Sequence, residues 1–164
     1  QQELRALVLQ RVGELFALDK VGTARLLRDS FPGQHERVML QLDATPELQF
    51  LYLQGVLQQA QRFATAAGSD SLPLSEQIQQ AGLTGEATHE HYVGLLCRFA
   101  PHDVLEYLQA HDTYRVDVCL ALCEEHGIKD ATAYLKERTG DMAGALQLIL
   151  DALRLALDQI LQTP

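Results

Sequence analysis

The chain contains no tryptophan, and aromatic residues make up only 6% of it. A core built from such a sequence must be aliphatic, knitted from leucine and alanine on facing elements. Strand signals are equally scarce, because few segments alternate apolar with polar residues or concentrate β-branched side chains. Basic clusters are missing too. With 13 Lys and Arg against 22 Asp and Glu, a formal net charge of -9, the chain lacks the phosphate-neutralising stripe of a nucleic-acid binder. The same balance disfavours direct adsorption to anionic lipid. No apolar run approaches the ~20 residues of a membrane span. No signal-peptide pattern opens the sequence, and its abrupt start at Gln1 suggests an excised fragment. The three cysteines, Cys97, Cys119 and Cys123, are odd in number and sit in apolar helical runs. They fit a reducing compartment better than a disulfide framework.

What is present is a helical pattern. Hydrophobic residues are 47% of the 164, enough for one ordinary domain or several repeats of a longer array. Apolar residues at helical spacing predict a first helix over 3–18, with Leu4, Leu7, Val8, Val12, Leu15 and Phe16 on its stripe. A second helix is predicted over 20–30, closed by Pro32 and Gly33, and a third over 34–42. Thr45-Pro46-Glu47 opens a fourth, with proline at the first helical position, where its missing N–H costs nothing; this helix runs to about Phe63. Positions 64–87 then trade the leucine stripe for Gly, Ser, Asp and Pro, and read as a long mobile insertion with a helical turn around 75–80. Helices resume over 89–99, 101–110, 115–126, 131–139 and 142–161.

The boundaries of the last three have local causes. Gly127 and Gly140 suit left-handed positions that end helices, and Asp130 and Asp141 are placed to cap the helices that follow. Linkers this short force antiparallel neighbours. The final helix is apolar over a wide arc, as expected of a helix that packs against more than one neighbour. The fold class is all-α: an α-solenoid of antiparallel helix hairpins, about nine helices, treated as one fragment over 1–164. No strict repeat period is legible.

Three clusters invite chemical readings. Cys119, Cys123 and His126 fall at i, i+4 and i+7 on one helical face, and thiolates with imidazole are good zinc ligands. A fourth ligand and the usual Cys pair spacing are missing, and both thiols sit among Val and Leu, so a packed helix face is the better reading. His89-Glu90-His91 resembles a ligand cluster by composition, but helical neighbours point about 100° apart, and the run reads as the polar face of a helix N-terminus. Tyr134 and Arg138 are i, i+4 neighbours, which allows the guanidinium to lie over the ring as an internal packing unit. No nucleophile elbow, activated cysteine or phosphate loop occurs. No catalytic, cofactor-binding or metal residue is therefore assigned, and the chain is not expected to be an enzyme.

Taken in order, HYVGLLCRFAPHDVLEYLQ and VCLALCEEHGIKDATAYLKERTGDMAGALQLIL resemble the clathrin heavy-chain repeat of vacuolar protein sorting subunits. The elements that carry the likeness are Tyr92, Leu95 and Leu96; Pro101 and Leu105; Cys123; Tyr134, Leu135, Arg138, Gly140 and Asp141; and Ala145 with Leu146. The stretch 46–57 also resembles the segment that precedes this block. The likeness covers 46–57 and 89–161 well and 1–45 loosely. It implies a scaffold segment of an endosomal or vacuolar membrane-tethering subunit of the CORVET type, with a HOPS-type subunit or a clathrin-like coat leg as rivals. A helical peptide-binding adaptor and a zinc enzyme stand further off. The implied partners are other tethering-complex subunits (the class C core) and a Rab GTPase reached through the complex. No nucleic acid and no cofactor are expected. The implied location is cytoplasmic, peripheral on endosomal or vacuolar membranes through those partners.

Overall fold

The computed structural model describes residues 2–31, 34–66 and 85–162. Among them are ten α-helices and no strand, so the all-α reading holds. The chain divides into two compact units, Gln1–Thr88 and His89–Pro164.

The first unit holds α1 (Gln2–Gln10), α2 (Val12–Leu18), α3 (Lys20–Ser30), α4 (His35–Gln41) and α5 (Pro46–Ala66). One helix is expected over 3–18, but the backbone breaks at Arg11, with φ -107° and ψ 19°. The break leaves Leu9 and Val12 buried while Leu4 and Leu7 stay exposed. Gly13, just beyond it, is a poor helix former and weakens the turn that would bridge the two halves. The second helix begins where Asp19 accepts a hydrogen bond from the Gly22 N–H at 3.0 Å, satisfying a donor that the first turn leaves unpaired. α5 starts at Pro46, as expected, and there the Thr45 carbonyl accepts from the amides of Leu48 and Gln49. That helix runs three residues beyond Phe63, to Ala66. Pro32, Gly33 and most of the 64–87 insertion (positions 67–84) lie outside the described residues.

The core of this unit is aliphatic around one aromatic pair. Leu27, Val38, Leu42 and Leu48 are fully shut from solvent, and Phe31, Tyr52 and Val56 pack with them. Each such side chain stabilises the fold by roughly 1.5–3 kcal/mol relative to leaving it exposed. α3 packs along α5 and α2 along α3. His35 meets the Tyr52 hydroxyl through Nδ1, which gives the one polar atom of that ring a partner inside the core.

The second unit holds α6 (Glu86–Phe99) from His89 onward, a 3-10 turn over Pro101–Asp103, α7 (Val104–Ala110), α8 (Val116–Glu125), α9 (Lys129–Arg138) and α10 (Met142–Gln162). α6 starts three residues before the predicted His89. The Pro-led helix opens as a 3-10 turn instead of a regular one, since proline offers no N–H to the first ladder position. Val93, Leu96, Val104, Leu108, Cys119, Cys123, Ala131 and Leu135 form the buried face. α9 packs against α7, α8 and α10.

Candidate interaction surface

The two turns around α9 share one geometry. At Gly127, φ is +69°, and at Gly140 it is +83°. Both lie in the left-handed region where a side chain would meet its own backbone. At the first, the Ile128 N–H reaches the Cys123 carbonyl at 2.9 Å and the Gly127 N–H reaches Glu124 at 3.2 Å. At the second, the Asp141 N–H reaches the Lys136 carbonyl at 2.9 Å and the Gly140 N–H reaches Glu137 at 3.0 Å. These are the paired bonds of a Schellman stop. Asp141 then accepts from the Gly144 N–H at 2.9 Å and caps α10, as expected.

Asp130 does not cap α9, contrary to expectation. Ile128 holds the cap position because its amide closes the previous turn and its side chain is buried. Asp130 instead lies inside the first turn, where its carboxylate accepts from the Ala131 N–H at 2.8 Å. A carboxylate there still favours the positive end of the helix.

These turns lay α10 along α9 by a narrow strip. Ala145 is the buried α10 residue among those described. Met142, Leu146, Leu150, Leu153 and Leu157 are all exposed, and the exposed large apolar side chains of the helix range from 48% at Ile149 to 82% at Leu161. The wide apolar arc read from the sequence is therefore present, but α9 covers only one edge of it. An uncovered apolar row of this length marks an interaction face more often than a solvent-adapted one.

The clusters singled out in the sequence separate. Cys119 and Cys123 are fully buried, whereas His126 is exposed at the C-terminal end of α8. Among the described residues no three His, Cys, Asp or Glu side chains converge on a point that could hold a metal ion. Burial pushes the Cys119 thiol up to about 12, with the Glu90 carboxylate adding to the shift, so it holds almost no thiolate near neutrality.

The His-Glu-His run is not the polar face it resembles in the sequence. His89 and Glu90 are buried, and His91 points outward. His89 shares a hydrogen bond with the Tyr107 hydroxyl through Nδ1, and its ring lies 5.4 Å from that of His111. Burial, and then the neighbouring His111, holds His89 below its ordinary 6.5. Glu90 receives a two-pronged bond from Arg115, 2.8 Å at Nε and 2.9 Å at Nη2, and the Arg115 amide donates to it at 3.1 Å. The Arg115 hydrogen bond holds the Glu90 carboxyl below the usual range against the opposing effect of burial. Sequence reasoning missed Arg115 and Tyr107 as partners. The pairing spans 25 and 18 residues, and no local spacing signals it.

Tyr134 and Arg138 do stack, with the guanidinium 5.9 Å from the ring centroid. The same guanidinium also covers the Tyr114 ring at 5.6 Å and donates to the Tyr114 hydroxyl at 2.7 Å. Tyr114 in turn donates to the Leu108 carbonyl at 2.8 Å. The pair is an internal packing unit that also ties α9 to the turn before α8.

Among known proteins, the chain matches the mouse (Mus musculus) vacuolar protein sorting-associated protein 8 homolog, 28% identical over 152 residues. It matches the human (Homo sapiens) protein of the same name to the same extent. The match takes in 93% of this chain but only 10% of either relative, so the chain spans about a tenth of their length. No family model and no solved structure matches it. Over nearly all its length, then, this chain is similar to a short stretch of vacuolar protein sorting-associated protein 8.

Proposed function

We propose that this chain is a scaffold segment of a CORVET-type tethering subunit, acting in endosomal and vacuolar protein transport through protein–protein contacts. The single observation that carries the reading is the match to the vacuolar protein sorting-associated protein 8 homologs across 93% of the chain. The architecture agrees with that role. Its buried polar groups fix helices to one another rather than converging on a pocket, and the Schellman turns set consecutive helices side by side. Residues 1–164 are one piece of an α-solenoid in this reading, and the exposed row on α10 is the face on which the next helical layer stacks. Among the described residues no helix is long and apolar enough to cross a membrane. Attachment to endosomal or vacuolar membranes then comes peripherally, through class C core subunits and a Rab GTPase bound by the assembled complex. The segment itself is not a catalyst.

The test is capture by immobilised chain of purified class C core subunits, and of subunits specific to CORVET and to HOPS. Retention of the core or of the CORVET partner is the expected result. Retention of HOPS-specific subunits alone would move the chain to the sister complex. A folded chain that retains none of them at micromolar concentration would remove the tethering reading.

A further inference from the structure

Helices α6 and α8 run side by side in the same direction. Glu90, near the start of α6, is bonded to Arg115, the residue that opens α8. Further along, a Cβ on Gly94 would touch Leu122 at 3.8 Å. Beyond that contact, the Cys97 thiol shares a hydrogen bond with the Cys123 thiol. Cys97 stands seven residues past Glu90, and Cys123 eight past Arg115, about 10–12 Å along each helix. The contacts therefore keep one register. Gly94 and Cys97 share a face of α6 at i and i+3, and the missing side chain lets the α6 backbone approach α8 beside the thiols.

Three thiols gather here, and geometry distinguishes the pairs. Cys119 and Cys123 are i, i+4 on one helix, with Cβ atoms about 5–6 Å apart, whereas a disulfide needs about 3.5–4.5 Å. They cannot join while α8 is intact. The Cys119 thiol feels the Cys97 charge, but the hydrogen bond of Cys97 goes to Cys123. The bonded thiols are also unlike. The Cys123 hydrogen bond holds Cys97 below its ordinary 9.0 against the opposing effect of burial. The same bond, together with burial, pushes Cys123 up. Cys97 is thus the one that supplies thiolate, the nucleophilic form. It is also the least sealed of the three, 5% exposed against 0% for the others.

We propose that Cys97 and Cys123 are a peroxide-sensitive dithiol that closes to a disulfide between α6 and α8. The Cys97 thiolate attacks one oxygen of hydrogen peroxide; the O–O bond breaks, hydroxide leaves and takes a proton, and Cys97 becomes a sulfenic acid. The Cys123 sulfur, losing its proton, then attacks the Cys97 sulfur, and the S–O bond breaks to release water. Two thiols and one peroxide give one disulfide and two waters. The sulfur pair loses two electrons and the peroxide gains them. Hydrogen peroxide is little larger than water, so it reaches a side chain closed to bulkier reagents. Exchange with a cellular thiol reverses the bond, as a transient disulfide in a reducing compartment requires. The pair does not depend on the tethering role, and loss of the subunit capture described above leaves it standing.

The experiment treats the full chain with hydrogen peroxide in native buffer, blocks remaining thiols with iodoacetamide, and maps the products by mass spectrometry. The expected chain has lost two hydrogens, its free thiols have fallen from three to one, and the linked peptides carry Cys97 and Cys123. In denaturant the pairing should move to Cys119 with Cys123, whose short separation makes loop closure easiest. Cys119→Ala should leave the native pairing unchanged. Cys123→Ala should stall at a Cys97 sulfenic acid, trapped by dimedone. Mapping of the wild-type chain decides the matter even if a variant fails to fold. Native products dominated by Cys97–Cys119, Cys119–Cys123 or intermolecular bonds would overturn the proposal. So would sulfinic acid without pairing, or three intact thiols at a peroxide dose that oxidises free glutathione.

Discussion

In the first unit an Asp-x-x-Gly cap (Asp19 to Gly22) starts α3, whose Ala24 and Leu27 are sealed into an aliphatic core. In the second unit the same device (Asp141 to Gly144) starts α10, most of whose leucines are half-exposed or more. At both caps a Cβ on the glycine would collide with the capping carboxylate, at 2.2 Å for Gly22 and 2.3 Å for Gly144. Each unit also holds a half-buried His–Tyr pair, His35 with Tyr52 and His89 with Tyr107. The local chemistry of starting a helix is thus indifferent to whether that helix becomes core or surface. Burial is decided by what the chain brings alongside. The first unit surrounds α3 with α2 and α5, while the second gives α10 the single face of α9 as its principal support.

Leucines at matched helical settings give the widest contrast. Leu27→Ala, at a fully buried site, should cost about 2–5 kcal/mol. Leu153→Ala, at a site 56% exposed, should stay within about 0.5 kcal/mol. Urea midpoints measure both, and similar losses would show that the α10 row is already covered, for example by self-association.

The second unit sets a buried carboxylate against a largely exposed arginine, and Glu90→Gln should cost about 1.5–3 kcal/mol by weakening three hydrogen bonds. The Glu90 carboxyl is depressed in the folded chain. Its contribution is therefore complete above the unfolded value of 4.5 and is lost as pH falls through the lowered folded value. The acid limb of a Tm–pH curve should be shallower in Glu90→Gln. An unchanged limb would assign the acid loss to other carboxyls.

Gly140→Val places a branched side chain at φ +83° and should cost at least about 1–2 kcal/mol. Gly13→Ala, where a Cβ meets nothing within 4 Å, should be neutral or stabilising by up to about 1 kcal/mol. Equal melting temperatures for wild type and Gly140→Val would remove the left-handed stop from the account.

Both histidine pairs predict a smaller effect of pH. His35 and His89 are held below 6.5 by burial, so the unfolded chain takes up protons first and stability falls as pH drops below about 6.5. Substituting either histidine by glutamine should flatten that slope in its own unit. The smallest effect is kinetic. Cys97, Cys119 and Cys123 are buried and should react with a thiol reagent only as the second unit opens, at a rate that rises with urea.

The helix order was legible in the sequence because proline starts, glycine stops and apolar spacing are local signals. Lys20–Ser30 was read to the residue, and both left-handed glycines were found. What escaped was long in range. The burial of His89 and Glu90 depends on Tyr107 and Arg115, which only the folded chain brings near. The exposure of α10 had no sequence signal either, because an apolar stripe looks the same whether or not a neighbour covers it. The break at Arg11 was hidden by a stripe that continues across it.

Tyr114 and Arg115 are consecutive, yet one is gripped by Arg138 of α9 and the other by Glu90 of α6. A connector between helices is ordinarily the compliant joint of a helical stack. Here it is a bracket bolted on both sides by charged hydrogen bonds. Force applied along the chain between α6 and α9 would pass through that bracket, so the segment transmits tension as a stiff strut and not as a string of hinged rods.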